Sequence, residues 1–214
     1  MVYIGLRYCS IASLIVMLFG ADLVNAGTVH FSDRPLSIPV QIVTGEEADY
    51  FDANSNLSVK QALWNVERYH LGRFVIEAIA KGKYKEALPD INFVLKYFPN
   101  HPTALQLLTS IAVLSNNRAL PIQAFEKAIT LYPQHAITHA QYGLYYVTIE
   151  RLDIGIRKLY DAIQQDPQLA TAYVWLSQAY DKKGEVKLAR EARAKAKELG
   201  YNGVLTGEHD KASD

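Results

Sequence analysis

Residues 136–167 read AITHAQYGLYYVTIERLDIGIRKLYDAIQQDP, and the spacing inside this stretch decides the fold. Tyr142-Gly143 and Tyr146 lie on one helix-forming run, Gly155 and Leu159 on the next, and Pro167 closes the pair. The same closing residue recurs at an even interval, at Pro99, Pro133 and Pro167. Five positions before each stands Val94, Ala128 or Ala162, and eight before stands Ile91, Phe125 or Leu159. One further step lands on Tyr201, with Ala196 and Arg193 in the matching slots. A fixed period of this size marks stacked supersecondary units, none of which can bury its apolar face alone.

On these residues the chain resembles the tetratricopeptide repeat (TPR) family, whose unit reads W-x2-L-G-x2-Y…A-x3-F…P. The third unit carries Tyr142-Gly143-x2-Tyr146, Gly155-x3-Leu159 and Pro167, with His139 in the Trp slot. The fourth has Tyr173-x2-Leu176-Ser177-x2-Tyr180 and Ala189. The first has Leu71-x2-Phe74-Val75-x2-Ala78 and Ala87-x3-Ile91, and the second Leu105-x2-Leu108-Thr109-x2-Ala112 and Pro121-x3-Phe125. Only Gly143 keeps the Gly slot, and Arg193 stands where the other units are apolar. The resemblance implies an all-α, right-handed helical-hairpin solenoid of about four repeats, at 68–101, 102–135, 136–169 and 170–203, within a domain spanning 58–203.

Composition narrows the function classes. Half the residues are apolar and 22 basic residues balance 22 acidic ones, which excludes a disordered chain and gives no general electrostatic case for nucleic acid. Cys9 is the only cysteine, so neither a disulfide framework nor a thiolate metal site is expected. Residues 1–26 read as a signal peptide: a weakly basic start to Arg7, an apolar run to Ala21, and the small-residue site Val24-Asn25-Ala26. The apolar run is about 14 residues, short of the ~20 that span a bilayer. Cleavage near Ala26 predicts a periplasmic or secreted protein; a membrane is met only through this segment if it is not removed.

Residues 27–57 have no helical period, and Pro35 and Pro39 hold their predecessors extended. They read as a tether or as an extended segment whose apolar residues (Val29, Phe31, Ile38, Val40, Ile42) cover the solenoid. Ser58 and Gln61 are expected to form a capping box, with one helix running from there to Gly82. Turns are expected at 81–83, 115–117, 149–151 and 183–184, the third lacking Gly or Asn. Pro89 is expected to kink its helix. Trp64 reads as a cap over the first repeat, the Glu185–Leu199 helix as a polar end cap, and 204–214 as a flexible tail.

No phosphate-cradling loop, zinc helix or nucleophile elbow is present, so no catalytic residue, metal ligand or cofactor is expected. His135 and His139, four apart, are the candidates for a metal-binding or hydrolytic role. Two imidazoles fall short of the three or four ligands a metal needs, and His139 occupies a packing slot.

The reading is instead a non-enzymatic interaction scaffold or assembly factor of the cell envelope. By resemblance, the first helix of each repeat lines a concave groove, here Tyr69, Ile76, Ile79, Gln106, Ser110, Val113, Leu114, Ala140, Leu144, Val147, Val174 and Gln178. Lys182 is the groove's single cation, so an apolar segment of a protein or peptide partner is expected rather than an acidic tail. The alternative is a self-associating component meeting through its ends.

Overall fold

A computed structural model describes residues 47–203, all of whose regular structure is helical. The expectations placed on residues 1–46 and 204–214, including the signal segment, lie outside the described residues. The described chain divides after Phe98 into two compact units.

In the first unit a 3₁₀ turn at Ala53–Ser55 leads into α1 (Leu57–His70), α2 (Arg73–Ala80) and α3 (Tyr84–Tyr97). The expected capping box does not form. Asn56 caps α1 instead, its Oδ1 accepting from Ser58 N at 2.9 Å and Val59 N at 3.3 Å. A short amide on extended backbone satisfies the orphan donors two positions earlier than Ser58 would.

Nor is the first helix continuous to Gly82. It stops at His70, and Gly72, extended at ψ 178°, restarts the chain as the N-cap of α2. His70 explains the stop: its Nδ1 lies 2.7 Å from Asp90 Oδ1 and its ring stacks on Phe93 at 4.0 Å, which ties the end of α1 to α3. Helix α3 runs unbroken through Pro89, an exposed residue near the exposed Lys85, so the lost hydrogen bond faces solvent. Upstream, Ala48 N donates to Tyr97 O at 2.8 Å and Ala53 is buried. Trp64 is half-buried beneath the Arg68 guanidinium, 5.0 Å from its ring centre.

The second unit contains α4 (Pro102–Leu114), α5 (Ile122–Leu131), α6 (Ala136–Thr148), α7 (Leu152–Gln165), α8 (Ala170–Lys183) and α9 (Val186–Glu198). Helix α6 packs on both α4 and α8; α5 lies against α6, and α7 against α8. First helices therefore stand beside first helices, and each second helix also touches the next hairpin.

The phase read from the prolines reappears in the backbone. Gly82, Asn116, Glu150 and Gly184, spaced at the interval of the prolines, have φ of 72°, 55°, 62° and 78°. Every hairpin thus reverses through one left-handed residue, and the third does so with a glutamate, at a steric cost the glycines avoid. Ile91, Phe125, Leu159, Val94, Ala128 and Ala162 are all buried, so the phased apolar slots are the core.

Helices α6 and α7 come closest where Gly143 meets Gly155. A Cβ on Gly155 would lie 2.9 Å from the Gly143 carbonyl oxygen, a separation only two glycines permit. The matching slots of α4 and α5 hold Thr109 and Pro121, and those helices stand further apart.

Candidate functional site

The expected groove residues fall into three groups. Tyr69, at the end of α1, and Ile76, on α2, are exposed. Gln106, Val113 and Leu114 on α4 and Gln178 on α8 are half-buried. Ile79, Ser110, Ala140, Leu144, Val147 and Val174 are buried, so they do not form an open apolar strip. The reason is local: α6 lies between α4 and α8, and ten of its 13 residues are buried. Periodicity places a side chain on a helix face but does not say whether neighbouring helices close over that face.

Polar and charged groups in the second unit are largely used internally. Ser110 Oγ donates to Gln106 O at 3.0 Å, and Gln141 Nε2 reaches from α6 to Pro102 O at 3.1 Å. Lys182 pairs with Glu150 at 2.5 Å, tying the fourth hairpin to the third turn. Arg193, in a slot that is apolar elsewhere, pairs with Asp181 at 2.5 Å.

A tyrosine cluster fills the space around α6. Phe125 stacks on Tyr142 at 4.8 Å, and Tyr142 Oη lies 3.0 Å from Tyr146 Oη. Tyr145 Oη donates to Arg118 O, fastening the 115–121 connection. Burial raises the Tyr142 phenol above its ordinary range, with further contributions from Tyr146 and Glu126. Tyr145 and Tyr180 are raised as well, mainly by burial.

Among the described residues the two histidines have no third ligand grouped with them. His139 is buried, and its Nε2–H donates to Pro133 O at 3.0 Å. His135 is the N-cap residue of α6, with Nε2 3.2 Å from Gln134 Nε2. Among the described residues no three His, Cys, Asp or Glu side chains are grouped to hold a metal ion.

Phe74 on α2, missed by the groove reading, is as exposed as Tyr69. Its place in the repeat signature, normally a packing slot, pointed the other way.

No family model matches the sequence. No curated protein matches it either. Solved structures of MamA do: a structure of MamA from residue 41 to its end, from Desulfovibrio magneticus RS-1, is 23% identical over 70% of this chain and 89% of that one, with a TM-score of 0.46. A MamA RS-1 ArsTM double mutant is 23% identical over 65% of this chain and 84% of that one, at 0.45. A third MamA crystal structure is 21% identical over 66% and 86%, at 0.44. The fold is established by this chain's own helices.

Proposed function

We propose that this chain is a non-enzymatic protein-interaction scaffold that holds an apolar segment of a partner against the α1–α2 region. One observation carries the reading: Tyr69, Phe74 and Ile76, close together in sequence, are 60%, 58% and 52% exposed. Large apolar side chains left exposed favour a partner that removes them from water. Burying the exposed halves of three such side chains yields roughly 2–4 kcal/mol gross. Part of that is spent ordering the incoming segment, so the contact is weak unless the partner adds others. Two of the three belong to the predicted groove.

The test is a photo-crosslinker placed at Tyr69 or Ile76, with the exposed Gln164 of α7 as the control position, in cells producing the full chain. A discrete adduct from both test positions, lost on Ile76→Glu with helicity unchanged, supports the site. Adducts no different from the Gln164 control overturn it.

We also infer export, with cleavage near Ala26, from the order of basic, apolar and small residues at the start of the sequence. N-terminal sequencing of the purified protein should begin at Gly27; a chain still carrying residues 1–26 refutes cleavage.

A further inference from the structure

One packing slot of the repeat stands open in the first hairpin. Phe74 occupies the slot of Leu108, Tyr142 and Leu176. Those three are buried, whereas Phe74 is 58% exposed. Tyr142 shows what closes the slot: Phe125 of α5, the second helix of the hairpin before it, stacks on its ring at 4.8 Å. The position that corresponds to Phe125 ahead of Phe74 is Leu57, one interval before Ile91. Leu57 is 82% exposed, and the helix it opens, α1, packs on α3. Among the described residues, therefore, no apolar layer closes over Phe74.

The sequence holds such a layer just upstream. Residues 38–43 read IPVQIV. In an extended chain Ile38, Val40 and Ile42 fall on one face, and Pro39 holds Ile38 extended. The described chain begins at the right end of the hairpin, since Ala48 N donates to Tyr97 O at the close of α3. From Tyr97 back to Asp90, which pairs with His70 just ahead of α2, α3 covers about 10 Å. Residues 44–46 reach about as far when extended. Ile38, Val40 and Ile42 then cover about 13 Å more, beside the first turn of α2 that carries Phe74.

We propose that Ile38, Val40 and Ile42 dock on Phe74 as the missing layer of the first hairpin, and that a partner's apolar segment takes their place. The contact is apolar on both sides and needs no charged group. It rests on the α1–α2 reading, for which it names the resident competitor. A segment tethered this close acts at high effective concentration, so a foreign one has to bind more tightly than an open surface would require.

Photo-crosslinking within the purified full chain tests the docking with no partner present. A benzoylphenylalanine in place of Phe74, irradiated in dilute protein, should join residues 38–43 of the same molecule, as located by peptide fragmentation. In place of Tyr160, an exposed residue of α7, it should not. Val40→Glu with Ile42→Glu should lower the Phe74 adduct about tenfold or more. Raising NaCl from about 50 mM to about 500 mM should leave the parent adduct unchanged. An adduct only to residues 47–60, one joining two molecules, or none at all overturns the docking. In cells producing the full chain, the same two substitutions should raise partner adducts from Ile76 severalfold, and unchanged adducts overturn the competition. Partner adducts from Ile76 without the internal Phe74 adduct remove the docking and leave the α1–α2 reading standing. The internal adduct without any partner adduct removes that reading and keeps the docking.

Discussion

Replacing Gly155 with alanine tests the packing of the third hairpin at its tightest point. An added Cβ would lie 2.6 Å from Val147 Cγ2 and 2.9 Å from both Gly143 O and Val147 N. Val147 can turn its methyl aside, but the two backbone atoms cannot move without the helix that carries them. Ordinary contact needs about 3.5 Å, so α6 and α7 must part by roughly 0.5–1 Å, a gap that forfeits about a quarter to a half of each contact's attraction. Overpacking of this kind costs about 1–3 kcal/mol and occasionally more. Removing a mid-helix glycine returns about 0.5–1 kcal/mol. With the obstruction lying in backbone, the upper part of the overpacking range applies, and Gly155→Ala should lose ~1–3 kcal/mol net. Urea unfolding followed by circular dichroism reads this directly: at a slope of about 2 kcal/mol/M the midpoint falls by ~0.5–1.5 M, with the slope itself unchanged. Gly72→Ala is the control, since its Cβ would sit 3.5 Å from Arg68 O in ordinary contact; it should cost only about 0.5–1 kcal/mol as a cap change. A Gly155→Ala protein as stable as the parent would refute the close approach of α6 and α7.

Other substitutions probe the remaining devices. Glu150→Gly should stabilise the protein by ~0.5 kcal/mol net, because a left-handed L-residue costs about 1–2 kcal/mol against about 0.5–1 for glycine's freedom. Repeating it in a Lys182→Ala background separates out the exposed ion pair, and a fall in melting temperature in that background contradicts the strain assignment. Arg193→Leu leaves Asp181 without its partner in a half-buried site and should cost ~1–2 kcal/mol. Adding Asp181→Val recreates the apolar pairing of the earlier repeats and should recover most of it; a double variant no better than the single one argues against coupling. At high pH, the folded protein keeps Tyr142, Tyr145 and Tyr180 protonated above the 10.0 of a free phenol, where the unfolded chain releases those protons. Stability is therefore full below pH about 10 and falls as pH rises beyond it. Tyr142→Phe should flatten that fall, and a pH-independent unfolding midpoint through this range would exclude the linkage.

Periodicity in the sequence was enough to locate four hairpins because the left-handed turn residues and core slots share one interval. It also anticipated the third turn as the exception, and Glu150 adopts the glycine-like φ that the phase demands. Other features depend on contacts that no local pattern encodes. Asn56 takes the cap from Ser58 through two hydrogen bonds, and the α1–α2 break follows from a contact between His70 and Asp90, which are distant in sequence.

Exposure is the property that the repeat does not set. Ile76, Ser110, Leu144 and Gln178 share one slot of successive repeats, yet Ile76 is 52% exposed, Ser110 6%, Leu144 3%, and Gln178 half-buried. Identical backbone register therefore gives four surroundings, because the side chain at that slot meets whatever neighbours its own hairpin has. Leu144 on the flanked α6 contributes to stability, and a charge there would unfold before it informed on binding. Ile76 can carry a charge in the folded protein, so only there does loss of a partner report on recognition. A groove reading of a repeat protein has to be made hairpin by hairpin, and in this chain it leaves Tyr69 and Ile76 exposed while Ala140, Leu144 and Val147 are closed over.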